Sequence, residues 1–479
     1  MALSSKIAFN TGIQVFTKIV GTLLSLAALA LITRYLGSYN FGYYTTAITF
    51  ATFFSIAADL GLTLVTTQMI SRPGADQAKL LSNLFTFRAV SAGMILILAP
   101  IVAIFLPYTS AVKEGIFITS LAFFFVLLNQ IFTSLFQKEL RADKMAIAEI
   151  VSRVLMFILT ALAALLDWGL SGILWAMASA SILSFLLHYY YSLEFVALRL
   201  MFDKAIWLDI IKRSWPFLVT IILNLVYLKT DILLLSFMKS PLDVGLYGAA
   251  YKVIDVLVTI PFMLGGTVLP ILTKRWHALE KTDYQRAWGK IFNVTSILVW
   301  PILFGVFILA RPIMTLVAGE DFALSGDILK ILILAVGGVF FSVFFSYTMV
   351  SFGEQRRMIS AYVFTAITSL ILYFIFIPRY SYLGAAWITV YSEIIMCLFA
   401  WLLIRRHLKL QPNIRLFFKA LVAALVMAVV LSLMPFNQST VLGLSLSILT
   451  GMIVYALALL AGRIVSLNEV RELFHWRSR

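Results

Sequence analysis

LNLVYLKTDILLLSF, residues 223–237, sets Lys229 and Asp231 inside a run that is otherwise almost wholly apolar. A soluble core rarely holds two such charges, and a simple membrane anchor has no use for them. What surrounds the run answers the question. The chain has 479 residues and is 62% hydrophobic and 12% charged, where a soluble domain carries about 25% charged residues. Windows such as 19–33, 90–106 and 420–434 are apolar enough to cross a bilayer, which takes about 20 residues for a hydrocarbon core about 30 Å thick. Their recurrence along the whole length predicts an all-α polytopic membrane protein.

Apolar windows between charged or turn-forming stretches give fourteen candidate helices. Their cores lie near 9–33, 41–66, 84–106, 115–137, 147–166, 169–190, 215–238 and 245–272. The rest lie near 289–310, 328–351, 358–376, 381–404, 416–434 and 440–462. The polar connections are too short for a soluble domain. A cleaved signal peptide fits poorly, because no small-residue cleavage site follows the first apolar run and more spans come after it.

Charge tests this map. With the N-terminus inside, alternate connections hold clusters such as Lys138, Arg141 and Lys144, or Lys274, Arg275, Lys281 and Arg286. In all, 28 of the 37 basic residues fall on that side or at its membrane border, Arg88 and Arg153 among them. The opposite side receives only Arg34, Lys113, Lys239, Arg311, Lys330 and Arg379. That asymmetry is the positive-inside pattern; it supports an even number of spans and puts both termini in the cytoplasm. It also explains the net charge of +15 without nucleic acid.

An internal repeat organises the spans. FGYY at 41–44 and VGLY at 244–247 each open a span with Gly and, two places on, Tyr. LRADKM at 140–145 pairs with GEQRRM at 353–358, and GILW at 172–175 with GAAW at 384–387, giving offsets of 203, 213 and 212 residues. The expected arrangement is an N-terminal lobe of six helices (1–200), a C-terminal lobe of six (201–410), and two appended helices with a cytoplasmic tail (411–479). Six helices per lobe is even, so the lobes share one orientation and are related by pseudo-two-fold symmetry along the membrane normal. Two such lobes enclose a cavity that opens to either side, which points to transport by alternating access.

Three basic residues remain within spans: Lys18, Lys229 and Lys252. A charge at mid-membrane costs about 2.5–3.5 kcal/mol on insertion scales, so it normally faces a polar cavity or a partner. Lys252 has Asp255 three residues on, which allows a neutralised intrahelical pair. Lys229 and Asp231 point about 200° apart around a helix and cannot satisfy one another. Either a cavity or an interhelical salt bridge holds them. Lysines that face a cavity suit an anionic cargo, since they attract phosphate without one rigid pose. Lys18, Lys229, Lys252, Arg34 and Arg88 are therefore the candidate substrate-binding residues. Asp59, Asp231 and Asp255, with Glu149 and Glu393, are candidates for proton or sodium coupling, or plain charge partners.

Other features have a bland reading beside the functional one. Tyr35, Tyr39, Tyr43 and Tyr44 form an interfacial belt or a sugar-stacking surface. Pro216, Pro261, Pro270 and Pro301 bend helices; Gly265 and Gly266 beside Pro261 make span 8 the expected broken helix, with close packing as the competing explanation. Cys397 is the only cysteine, which excludes a disulfide framework. His188, His277, His407 and His475 are scattered at probable membrane borders and read as interfacial or loop residues. No metal or cofactor site is expected. No nucleotide cradle, zinc-protease or nucleophile-elbow motif occurs, so the expectation is a transporter and not an enzyme.

The stretch TRYLGSYNFGYY (33–44) resembles the polysaccharide-exporter, or O-antigen flippase, family of the multidrug/oligosaccharidyl-lipid/polysaccharide exporter superfamily. VGLYGAAYKV (244–253), GEQRRM (353–358) and LGAAW (383–387) add to the likeness, and the similarity of layout covers essentially the whole chain. The resemblance implies a two-lobed, fourteen-helix flippase of a prokaryotic plasma membrane. Its expected cargo is a polyprenyl-diphosphate-linked oligosaccharide moved from the cytoplasmic to the outer leaflet, with Lys18, Lys229 and Lys252 fitting the charged cavity. Expected partners are that lipid-linked glycan, membrane lipid, H+ or Na+, and a glycan polymerase or export machinery, with no nucleic acid. The alternative is an ion-coupled multidrug or small-molecule antiporter, whose cavity would be dominated by carboxylates.

Overall fold

The computed structural model describes residues 3–70, 76–277, 281–407, 410, 412–434 and 440–463. Every regular element among them is helical. The expected tail past Arg463, with Arg471, His475, Arg477 and Arg479, lies outside the described residues, as do Arg72 and Lys409. Two compact units divide the chain between Gly245 and Leu246.

The first unit contains α1 (Leu3–Asp59), α2 (Leu62–Ile70), α3 (Gln77–Ile104), α4 (Ser110–Lys138), α5 (Ala142–Leu165), α6 (Gly169–Ser192) and α7 (Lys204–Met238). The second takes most of α8 (Pro241–His277), then α9 (Lys281–Ala318), α10 (Ser325–Ser351), α11 (Met358–His407), α12 (Ile414–Ser432) and α13 (Val441–Ala461). Among the described residues, eleven helices are long and apolar enough to cross a membrane. Large apolar side chains stand exposed along them: Phe105, Leu165, Leu442 and Met452, for example. In water such surfaces would drive aggregation; in lipid they face their own solvent. This is an all-α polytopic membrane protein.

Two of the eleven are double. At 1.5 Å per residue the 57 residues of α1 far exceed a bilayer core, and the helix is interrupted at Gly37 (φ 65°, ψ 173°). The 50-residue α11 is interrupted in the same way at Ser381 (φ 50°, ψ −133°). Gly37 takes a positive φ at little cost, whereas Ser381 holds it against its own Cβ. Gly37 falls in the gap the sequence leaves between two spans, 34–40, and Ser381 lies one residue past the gap at 377–380.

Elsewhere polar caps start the helices. Asp76 accepts from the Lys79 amide at 3.0 Å to open α3, and Asn413 accepts from the Leu416 amide at 3.1 Å to open α12. Asp203 accepts from Ala205 and Ile206 to open α7 and pairs with Lys79 at 2.7 Å. The hydrogen bond from Lys79, reinforced by that from the Ile206 amide, holds the Asp203 carboxyl below the usual carboxylate range. A core of Leu62, Val65, Leu84, Phe87, Ile131 and Ile210 locks α2, α3, α4 and α7 together in the first unit. In the second, α12 carries Ala420, Ala424 and Met427 against Tyr455 of α13, with Trp300 and Phe304 of α9 alongside.

Span 8 corrects one expectation. Despite Pro261 and Pro270, α8 is helical throughout. Gly265 serves packing instead: a Cβ there would run into the Tyr347 ring. The helix that breaks is span 2, expected to be continuous over 41–66. It stops at Asp59, passes through Leu60 (φ 51°) and Gly61 (φ 73°), and restarts at Leu62.

Candidate functional site

The break in span 2 is where charge collects. It leaves Asp59 at the end of α1 and Thr63 in the first turn of α2, four residues apart across a non-helical step. The Thr63 hydroxyl lies 2.8 Å from Asp59 Oδ1 and 2.6 Å from Oε1 of Gln130 on α4. One hydroxyl has one proton, so these two bonds are alternatives. Arg88 of α3 completes the cluster. Its Nη2 meets Asp59 Oδ1 at 2.5 Å, contacts Gln130 Oε1, and lies 3.4 Å from the Thr63 hydroxyl. One turn further on, Thr67 donates to Ser134 of α4 at 3.1 Å.

Arg88 has no exposed surface, while the Asp59 side chain keeps 21% of its own. Arg88 lies eleven residues into α3, about 16 Å from the helix start at 1.5 Å per residue. It is therefore a charge buried among helices, not a solvated loop residue. The guanidinium Nε is buried with no hydrogen-bond partner among the described residues. A charge this deep is tolerable only because the carboxylate and amide meet it; the pair fixes how α1, α2, α3 and α4 assemble around the break.

A second, half-buried ion pair, on α5, reaches across to α1. Arg153 bonds Glu149 at 2.7 Å and reaches across to the Gly21 carbonyl at 3.2 Å and to the Ser25 hydroxyl. Gly21 makes room for it, because a Cβ there would strike the guanidinium. Lys18, Gly21 and Ser25 follow one another at i, i+3 and i+7, so Lys18 shares the face that receives Arg153. Lys18 is exposed. Like Arg88, Arg153 sits eleven residues into its helix.

The remaining sequence-derived candidates fall as follows. Arg34 is exposed near the Gly37 interruption. Lys229 is half-buried on α7, and Asp231 is 2% exposed with its carboxylate accepting from the Ile232 amide at 2.8 Å. In the second unit Lys252 is half-buried and Asp255 exposed on α8. Neighbours engage all four of Lys229, Asp231, Lys252 and Asp255. Of the eight residues, the structure joins Asp59 directly to Arg88. Glu393, buried on α11, packs against Gly338 of α10. Among the described residues no group of three His, Cys, Asp or Glu is arranged to hold a metal ion.

The tyrosines divide. The Tyr35 hydroxyl donates to Asp167 at 2.8 Å and accepts from the Gly169 amide at 2.7 Å, tying α1 to the α5–α6 turn. Tyr44 is buried and stacked on Phe41; Tyr39 and Tyr43 meet edge to face with centroids 5.3 Å apart. His188 is not a loop residue: it is buried in α6 against Phe132 and Phe136.

Gln130, Thr63 and Ser134 do not emerge from the sequence reading. Their signal is nonetheless present, because Thr63/Thr67 and Gln130/Ser134 are polar pairs at i, i+4 within apolar runs. Two such stripes on different helices are the pattern of an interhelical polar ladder.

Comparison with known proteins gives one family. Residues 31–325, more than half of the chain, match the model of a family described as polysaccharide biosynthesis protein. A protein of Shigella dysenteriae, provisionally named an O-antigen transporter, is 25% identical over 191 residues, 40% of this chain and 47% of that one. The succinoglycan biosynthesis transport protein ExoT of Rhizobium meliloti (strain 1021) is 23% identical over 334 residues, 68% of this chain and 66% of that one. The matches thus span less than two thirds of either relative. Among solved structures, the lipid II flippase MurJ in an inward closed conformation superposes with a TM-score of 0.76 at 18% identity, over 94% of this chain and 98% of that one. An inward-facing MATE-family multidrug transporter of the MOP superfamily superposes at 0.68 and 14% identity, over 81% and 94%. These two likenesses concern the fold.

Proposed function

The chain belongs to the polysaccharide biosynthesis protein family, and from that membership we propose that it is a flippase for lipid-linked glycans. The cargo is a polyprenyl-diphosphate-linked oligosaccharide, carried from the cytoplasmic to the outer leaflet of the plasma membrane for cell-surface polysaccharide synthesis. The family match over residues 31–325 is the observation that carries this reading. A diphosphate and a glycan cannot shed their water into hydrocarbon unaided, so a protein that moves them must replace hydration with fixed charge. It changes no covalent bond.

Counting the interrupted α1 and α11 twice and including the 35-residue α7 gives the fourteen spans of the sequence map. We assign them to two six-helix lobes of like orientation, 1–200 and 201–410, with α12 and α13 appended and both termini cytoplasmic. The repeat glycines support the lobe assignment. A Cβ on Gly42 would meet the Pro241 carbonyl, and a Cβ on Gly245 would meet the Ser38 carbonyl. Positions 38 and 42 thus exchange roles with 241 and 245, as equivalent segments of a repeat do.

Lys18, Lys229, Lys252 and Arg34 are the proposed contacts to the diphosphate and sugars. Arg88 joins them only in a conformation that opens its pair with Asp59. That pair makes Asp59 the leading site for coupling to H+ or Na+, with Asp231 and Asp255 as further carboxylates. A glycan polymerase or export machinery is the proposed protein partner.

The test is translocation of a fluorescent polyprenyl-diphosphate glycan in proteoliposomes, wild type against Lys18→Ala and Lys229→Ala. Protein-dependent flipping that collapses in folded variants supports both cargo and site. Flipping that survives both substitutions removes the lysines from the site. If wild type moves no lipid-linked glycan under any ion gradient but exports a small cation, the antiporter reading replaces this one.

A further inference from the structure

Away from the charged clusters, the C-terminal unit holds a cavity of about 990 Å³ among α9, α10, α11 and α12. That is near the top of the about 300–1,000 Å³ range of small-molecule sites. Its wall is aromatic. Phe292 and Phe417 stack at 6.4 Å, Phe341 and Phe417 lie 5.9 Å apart, and Phe345 and Trp401 lie 5.5 Å apart, so four helices contribute to one surface. Cys397, Trp401 and Arg405 all line it and follow at i, i+4 and i+8 on α11. The cavity therefore runs at least about 12 Å along that helix at 1.5 Å per residue, apolar for most of its length and cationic at one end.

The cationic end has a second component. Pro412 and Ile414 also line the cavity, so it abuts the start of α12, where the helix dipole places partial positive charge. Asn413 caps through the Leu416 amide. Arg405 is exposed and makes no ion pair with a described carboxylate, and among the described residues no acidic side chain lines the cavity. A long apolar slot with one guanidinium and one helix start at its mouth is complementary to a hydrocarbon chain ending in a single phosphate.

We propose that this cavity binds one anionic phospholipid of the cytoplasmic leaflet, with an acyl chain along the aromatic wall and its phosphate at Arg405 and the start of α12. The leaflet follows from the proposed orientation, in which the α11–α12 connection is cytoplasmic. This lipid is resident and is not the cargo: a single phosphate matches Arg405, the one cation among the described lining residues, and a diphosphate exceeds it.

The test uses the purified full-length chain, delipidated in detergent and titrated with phosphatidylglycerol or phosphatidylcholine of matched acyl chains, with bound lipid counted by native mass spectrometry. Wild type should prefer phosphatidylglycerol about tenfold, the scale of one charge-assisted contact. Arg405→Ala should bring that preference near unity, whereas Arg415→Ala, an exposed charge that does not line the cavity, should leave it intact. In wild type, phosphatidylglycerol with a photoreactive acyl chain should crosslink to the wall, at or beside Phe292, Phe341 and Phe345 or within 397–418. Equal binding of the two lipids, an equal loss in Arg415→Ala, or crosslinks confined to helices that do not line the cavity would each overturn the proposal. Displacement of the crosslinked lipid by polyprenyl phosphate would also overturn it, by making the slot a cargo-tail site. None of these readouts depends on flipping, so a failed transport assay leaves this test standing.

Discussion

Neutralising Asp59 should cost this protein more than neutralising Arg88, although the two form one ion pair. Asp59→Asn leaves a guanidinium with no exposed surface and no counter-charge. Removing one partner of a buried pair costs about 3–5 kcal/mol. Arg88→Met fills similar volume and leaves a carboxylate that still has the Thr63 hydroxyl at 2.8 Å and 21% of its side chain exposed. Water or a proton can then relieve it, and the cost should be about 1–3 kcal/mol. The double variant, with no charge left to strand, should recover about 2 kcal/mol of the summed loss. Equilibrium unfolding of the four proteins in mixed micelles, followed by circular dichroism, supplies the cycle. If Arg88→Met is the more destabilising, or if the coupling is below about 0.5 kcal/mol, the pair does not hold the break in span 2 as described. A double variant that folds like wild type yet flips no glycan would assign the pair to transport beyond its structural role.

Gly42→Ala sets a Cβ against the Pro241 carbonyl, so it should lose about 1–3 kcal/mol by overpacking. Gly266→Ala, where nothing lies within 4 Å, should be neutral or gain up to about 1 kcal/mol from helix propensity; thermal melts in one detergent separate the two. Ser381→Gly relieves a positive φ and removes a buried hydroxyl that has no partner among the described residues, and should raise stability by about 1 kcal/mol in the same melt. Acid should weaken the Asp203–Lys79 link. Because the folded Asp203 carboxyl titrates below its ordinary value, its contribution is fully present above about pH 4 and fades as pH falls through the lower folded value. Asp203→Asn should therefore lower the melting temperature at pH 6 and leave it unchanged well below pH 4; an equal loss at both would remove the charge from the explanation.

The all-α, membrane-spanning character of the chain was legible because about 20 consecutive apolar residues have one physical use in a chain of this composition. What the sequence hid was pairing. Asp59 and Arg88 both attract notice as single residues, but 29 positions separate them, and only the packing of α1 against α3 brings them together. Positive-inside counting hid Arg88 and Arg153 further, since it treats any arginine near a span end as a loop residue until a partner is known. Proline misdirected the search for the broken helix. Pro261 and Pro270 mark sites where α8 could fail, yet α8 continues through both, because neighbouring helices can re-satisfy the freed carbonyls. The true break lies at AADLG, where Asp59 competes for the Thr63 hydroxyl and Gly61 accepts a positive φ.

The repeat glycines carry the same lesson one level higher. FGYY and VGLY match by only two residue types, which is weak as pattern but strong as contact. Gly42 and Gly245 each lie against the backbone of the segment that holds the other, and each is followed two places on by a buried tyrosine, Tyr44 or Tyr247. A Cβ at either position would push the same two strands of backbone apart, so both must be small for the crossing to exist. On the proposed two-lobe reading, the short match is the imprint of one close approach read twice along the chain. If Gly42→Ala and Gly245→Ala act on a single crossing, their costs should fall well short of additive when combined, because the first Cβ already opens the gap the second needs.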